Sequence, residues 1–220
     1  MFDITTNTLV RNGEDTIEMC LESVLPYVKK GIVTLDSRSK DNTFYILQSL
    51  KQKYSNLDVY IHIVKDPIAD IIVMRNEQLK KVNTPWMWIV DSDEVYTNDV
   101  IPIIEQMEDK DVYAFQCWSV WNHTHAHKST STRIIPRIFK MKENMEWQGK
   151  FGKEFITREE PILLPYRYVH FTHVKNEDWR GELHQERTVD GKTLTPMPES
   201  IIPIVKNYYD KRDKTLQTVR

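Results

Sequence analysis

The sequence predicts an α/β protein built on a mostly parallel central sheet flanked by helices, with a smaller mixed subregion in the second half, and three observations carry that prediction. Strand-like and helix-like segments alternate at regular intervals through the first hundred or so residues, the pattern of successive βαβ units. Residues 86–90 (WMWIV) are an unbroken apolar run, as a strand covered on both faces requires. Polar and acidic residues follow three of the predicted strands directly, at Arg11-Asn12-Gly13-Glu14, Asp36-Ser37 and Asp91-Ser92-Asp93-Glu94.

The elements follow in order. Residues 3–10 (DITTNTLV) are the β-rich first strand. Ile17, Cys20, Leu21, Val24, Leu25 and Val28 then recur at steps of three and four, one apolar helical stripe, with Asp15 and Glu18 as a capping pair and Pro26 as its limit. Residues 31–35 (GIVTL) form a second strand that stops at Asp36. After the turn SRSKDN, Asp41 or Asn42 caps a helix carrying Phe44, Leu47, Leu50 and Tyr54. Residues 57–64 (LDVYIHIV) alternate as a third strand, and a helix with Ile71, Met74, Leu79 and Val82 leads into WMWIV. Asn98 to Met107 reads as a further helix, and 112–121 (VYAFQCWSVW) as a long strand before a polar loop. Residues 133–140 (RIIPRIFK) are another strand, for which Pro136 predicts an edge position or a bulge. From Met145 to Lys175 no helical period appears, which predicts short strands and loops; past Pro198 a polar helix with a frayed tail is expected. The expected organisation is one domain over residues 1–198, with 199–220 as a C-terminal helix and tail.

Composition bounds the function. A chain of 220 residues with 40% apolar and 28% charged residues can bury one adequate core. Thirty Lys and Arg against 32 Asp and Glu leave a formal charge of −2, no field for sequence-independent polyanion binding. Cys20 and Cys117 each lie in an apolar segment and are expected to be reduced core residues rather than a disulfide framework. No run approaches the roughly twenty apolar residues of a membrane span, and the start of the sequence lacks a signal-peptide pattern. A cytoplasmic protein is therefore expected, in which the sequon Asn122-His123-Thr124 has no role.

In open α/β sheets ligands bind beyond the carboxyl ends of the strands, and that rule selects the three polar termini. Asp91 and Asp93, one residue apart at the end of a buried strand, place two carboxylates at one crevice. Hard oxygen ligands of this kind suit Mg²⁺ or Mn²⁺, which neutralise a diphosphate and assist its departure. The competing reading is an acidic turn that caps the next helix.

LVRNGEDTIEMCLESVLPYV, TLDSRSKDNT and MRNEQLKKVNTPWMWIVDSDE together resemble family 2 of the GT-A glycosyltransferases, closely over about residues 5 to 105. The similarity continues more weakly through RIFK, Trp147-Gln148-Gly149 and Tyr168-Val169-His170. It implies a nucleotide-sugar donor, UDP-linked by family frequency alone, with Asn12 and Glu14 lining a base pocket and Asp36 bonding the nucleobase or ribose. Arg75 is implied at the base or diphosphate, Asp91 at the ribose or a metal-bound water, and Asp93 as a direct ligand of Mn²⁺ or Mg²⁺. His170, or His173 three residues on, is implied to complete the metal shell. Glu154 matches the family's glutamate after W-x-G and is the first candidate for the catalytic base, with Asp178 as the alternative. The sequence departs from the family at Lys153, where the pattern has histidine.

His123, His125 and His127 share one face of an extended WNHTHAH segment, as a loop near the acceptor opening or a second metal site. Trp118, Trp121, Trp147 and Trp179 serve as sugar platforms or as core. Three other activities compete: a metal-dependent phosphohydrolase, which lacks its nucleophile after the first strand; a sugar nucleotidyltransferase, which lacks its glycine-rich loop; and a nucleotide- or sugar-binding module without turnover. The acceptor stays open among glycan, lipid-linked glycan, protein and modified nucleobase, and its site is expected from about residues 118 to 185 or from a second copy of the chain in a homo-oligomer.

Overall fold

A computed structural model describes residues 1–66, 69–107, 110–127, 133–149, 154–157, 159–171 and 194–218, the last without side chains beyond 211. The alternating first half forms as expected: β1 (Phe2–Val10), α1 (Ile17–Glu22), β2 (Val28–Asp36), α2 (Thr43–Lys53), β3 (Leu57–His62), α3 (Asp70–Leu79) and β4 (Trp86–Ile89). The strands β3, β2, β1 and β4 lie side by side in that order, each pair parallel.

Two boundaries moved for a local reason. The helix α1 stops at Glu22, short of the apolar stripe's end, because Pro26 disfavours helical backbone at Leu25 and offers no N–H. Val24, Leu25 and Val28 stay buried outside the helix. In β2, which begins three residues earlier than the GIVTL pattern suggested, a Cβ on Gly31 would lie 2.4 Å from Leu25 Cδ2, so the glycine lets that side chain pack on the strand.

The second half continues as β5 (Glu94–Val95), α4 (Val100–Glu105), β6 (Val112–Ser119), β7 (His125–His127), β8 (Ile135–Lys140), β9 (Ile162–His170), β10 (Leu194–Pro196) and α5 (Ile202–Thr218). The main sheet extends in the order β4-β8-β6-β9-β5, with β6 and β9 parallel and the other neighbours antiparallel. The short-strand expectation for 145–175 misses β9, nine residues long and wedged between β6 and β5. Pro165 interrupts its alternation, and its register against β6 shifts between Ala114 and Gln116, so no clean period of two reaches the sequence.

Pro136 sits in an interior strand, not at an edge, and the bulge is what accommodates it. Tyr113 of β6 pairs with Ile138 and Ala114 with Pro136, leaving Arg137 unmatched. Proline cannot donate to the ladder, and the extra residue re-aims its side chain.

The core lies on both sides of this sheet. Trp88, Val90, Tyr96, Phe115 and Tyr168 form one aromatic-rich cluster; Val10, Ile17, Leu21, Leu35 and Leu47 form another under α1 and α2. The C-terminal helix α5 joins the core through Val205 and Tyr208, the latter stacked on Phe171 at 4.6 Å. Both cysteines are buried and neither forms a disulfide. No described helix is long and apolar enough to cross a membrane.

Candidate active site

The three polar strand ends do share one rim. Asn7 of β1 pairs with Ile32 of β2 and with Ile89 of β4, so these parallel strands run in step and Asp36 and Asp91 emerge at the same sheet edge. Asn12 turns the chain there with φ of 47°, a conformation asparagine tolerates better than most residues.

The first two loops are laced together. Gly13 N–H donates to Thr43 Oγ1 at 2.7 Å, Glu14 N–H to Asp41 Oδ2 at 2.9 Å, and Lys40 N–H to Asn12 Oδ1 at 2.9 Å. Glu14 Oε2 accepts from both the N–H and the Nδ2 of Asn42, at 3.0 and 2.8 Å. Glu14 and Asn12 thus build the floor of the rim by tying loop to loop. Asp36 is fully buried, and Arg38 grips its carboxylate through the backbone N–H at 2.8 Å, Nε at 3.0 Å and Nη2 at 2.5 Å.

The acidic segment after β4 is organised by two arginines. Arg75 of α3 donates from Nη2 to Asp91 Oδ1 at 2.8 Å, and Arg137 from Nη2 to Asp91 Oδ2 at 2.9 Å. Arg137 also pairs with the fully buried Glu94, which accepts in addition from Asp91 N–H and Tyr96 Oη, each at 3.1 Å. Burial opposes charge on Asp91, yet Arg137 and Arg75 outweigh it and hold its carboxyl well below the ordinary carboxylate range. On Glu94 burial wins over Arg137 and pushes the carboxyl up to about 8.

That shift fixes a sign. A carboxyl whose folded pKa lies above its unfolded value contributes stability that is complete below the unfolded value, near 4.3, and is lost as pH rises through the folded one. Melting temperature of the metal-free protein should therefore fall between about pH 5 and 8. Glu94→Gln, which cannot ionise, should flatten that fall; an unchanged slope in thermal melts across the range would assign it to other groups.

Asp93 is oriented differently. Glu94 pairs with His170 across β5 and β9, and Phe171 N–H donates to Asp93 O at 3.0 Å, so the two strands bring Asp93 Oδ2 to 3.6 Å from His170 Nε2. An oxygen and an imidazole nitrogen at that separation fit two positions on one cation's shell. Among the described residues no three His, Cys, Asp or Glu gather as a metal set. A carboxylate beside an imidazole suits Mn²⁺ or Mg²⁺, which take further ligands from phosphate and water.

Beyond Asp91 a cavity of about 310 Å³ opens, walled by Arg75, Arg137, Phe139, Trp147, Glu154 and Phe155 among others. Asn76, next to Arg75 in sequence, fixes Trp147 by two bonds: Trp147 N–H donates to Asn76 Oδ1 at 2.8 Å, and Asn76 Nδ2 to Trp147 O at 3.1 Å. Glu154 therefore shares a cavity with Asp91. His173, Asp178, Lys153 and Trp179 lie outside the described residues. The histidine loop forms β7, paired with β10, and His123 stacks on Tyr209 at 3.9 Å. Sequence reasoning gave Arg137, Glu94 and Asn76 no organising role; the available signals were the place of Glu94 in the acidic strand end and a basic residue beside a strand-breaking proline.

The model of glycosyl transferase family 2 matches residues 8–177. The chain belongs to that family. No curated protein matches it. Solved structures similar to this family 2 chain include TarS 1-349 of S. aureus in complex with UDP, 18% identical with a TM-score of 0.45 over 63% of this chain and 47% of that one. Another is the mannosyltransferase PcManGT of Pyrobaculum calidifontis in complex with GDP-Man and Mn²⁺, 16% identical with a TM-score of 0.45 over 63% and 44%. A third is glucosyl-3-phosphoglycerate synthase of Mycobacterium tuberculosis with Mn²⁺, UDP and phosphoglyceric acid, 17% identical with a TM-score of 0.38 over 51% and 42%. The family 2 chain spans less than half the length of each. Its fold is the GT-A arrangement, a curled, mostly parallel sheet with a small antiparallel one beside it.

Proposed function

We propose that the chain transfers a hexose from a nucleoside-diphosphate sugar to an acceptor hydroxyl, with a divalent cation at Asp93 and inversion at the anomeric carbon. The observation that carries this reading is the common rim of Asp36, Asp91 and Asp93, with His170 facing Asp93. Asp93 and His170, with His173 as the other candidate, would hold Mn²⁺ or Mg²⁺, which when bound supplies the positive charge a departing diphosphate needs.

The protein's own groups do the rest. Arg75 and Arg137 neutralise Asp91 and so keep an uncompensated carboxylate away from the donor's phosphates. Arg75 Nη1, Arg137 Nε and Trp147 Nε1, buried around the cavity, have no hydrogen-bond partner among the described residues and suit the hydroxyl oxygens of a sugar. Glu154, on the cavity wall, accepts the acceptor hydroxyl's proton as its oxygen bonds to the anomeric carbon and the bond to the diphosphate breaks; Asp178 is the alternative base. The acceptor, whether glycan, lipid-linked glycan, protein or modified nucleobase, would reach this cavity from the residues beyond 118, and a cytoplasmic setting suits a nucleotide-sugar donor.

Slow donor hydrolysis tests the reading without knowledge of the acceptor. Nucleoside-diphosphate hexoses with Mn²⁺ should release free sugar, and omission of the metal should stop release. Glu154→Gln should lower the rate about 10²–10⁴-fold while nucleotide binding persists. A protein that binds nucleotide sugar and never releases sugar would be a binding module instead.

A further inference from the structure

We infer that Arg38, not Asp36, reads the nucleobase of the donor, and that it selects a base presenting two adjacent hydrogen-bond acceptors, guanine or cytosine, over uracil or thymine. The inference rests on the nucleotide-sugar reading above and adds the class of nucleotide.

The placement follows from the sheet. The cation position at Asp93 lies past the end of β4, and β1 then β2 are the next strands in order. Two strand spacings, about 10 Å, separate β4 from β2. A nucleoside diphosphate held by its phosphates beside Asp93 thus lays its base toward β2, where the laced loops close the floor. On the other side of β4 lies the cavity walled by Arg137 and Glu154, assigned above to the sugar and the acceptor, which leaves the β2 side for the base.

At the end of β2 the carboxylate is not available to a base. Asp36 has no exposed surface, and its oxygens already accept from the backbone N–H, Nε and Nη2 of Arg38. The Arg38 side chain, by contrast, is 29% exposed. A guanidinium carries five N–H groups. Asp36 takes the Nε hydrogen and one on Nη2, which leaves the outer edge, with hydrogens on both Nη1 and Nη2, as a donor fork held in place from behind.

A fork of parallel donors matches two acceptors side by side. Guanine offers O6 and N7 in that arrangement, and cytosine offers N3 and O2. Uracil and thymine place an N–H between their carbonyl oxygens, and adenine sets an amino group beside N7, so each would meet the fork with at most one acceptor. The uridine expectation from family frequency therefore runs against the chemistry of this site.

Calorimetric titration of the intact protein with GDP, CDP, UDP, dTDP and ADP in Mn²⁺ tests it. GDP or CDP should bind at least about tenfold more tightly than UDP, dTDP and ADP, the discrimination of one bidentate contact, and comparing GDP with CDP identifies which base is meant. Arg38→Ala should erase that gap and expose Asp36, which favours the N–H of uracil. Arg38→Lys keeps the charge beside Asp36 and lacks the fork, so it should also erase the gap with the melting temperature preserved. UDP binding as tightly as GDP and CDP, or a gap that survives in both variants, overturns the inference while leaving the transferase reading intact. Failure of every nucleotide to bind with Mn²⁺ overturns both.

Discussion

Arg137→Met is expected to cost about 3–5 kcal/mol of folding stability, the range for breaking a buried ion pair from one side. The guanidinium lies between Asp91, Glu94 and Tyr168, and its removal leaves Glu94 fully buried with no cation beside it. Because Glu94 already leans toward its protonated form, the loss should be smallest near pH 5 and grow toward pH 9, where a carboxyl ionised in the unfolded chain must take up a proton from solvent, or keep its charge without a counter-ion, on burial. Urea titrations at both pH values measure this. Replacing both partners, as Arg137→Met with Glu94→Leu, should restore much of the stability, since apolar groups of similar volume remove the charge along with its counter-ion. A single variant within about 0.5 kcal/mol of the parent, the usual scatter of neutral surface changes, would show that the ion cluster is not what holds the acidic segment.

Asp93→Ala carries the second large effect, on function instead of stability. Asp93 O accepts from Phe171 N–H at the β5–β9 junction, a backbone bond that truncating the side chain does not remove. Its carboxylate would be the strongest protein ligand of the cation, and losing it should lower metal-dependent donor turnover by about 10²–10³-fold or more. The rise in melting temperature that Mn²⁺ gives in the presence of a nucleoside diphosphate should disappear with it, because a ligand stabilises only the state that binds it. Asp91→Asn is a contrasting probe: its oxygens face two arginines, so its loss should register in melting temperature at least as much as in metal response. Persistence of the Mn²⁺ effect in Asp93→Ala would remove that residue from the metal shell.

The division between legible and illegible features follows the range of the interactions. WMWIV announced a strand buried on both faces, and Met87, Trp88, Ile89 and Val90 are buried. The carboxyl-end rule then selected Asp36, Asp91 and Asp93 without any knowledge of contacts, because parallel strands joined by helices must present their ends at one edge. By contrast, β9 carries Pro165 and a register shift, and its position between β6 and β5 depends on partners far away in sequence. The short β5, made by Glu94 and Val95, exists only because β9 lies beside it.

By itself, then, the sequence determined the alternation of strands and helices, the polarity of the strand ends, and which carboxylates lie at one end of the sheet, since each depends on period, composition or neighbours within one βαβ unit. Only the tertiary structure decided what those carboxylates touch. Arg38 covers Asp36, Arg75 and Arg137 divide Asp91, and His170 reaches Asp93. Apart from Arg38, these partners stand 16 to 77 residues away along the chain, and a charge's effect falls with distance in space, which sequence separation does not record.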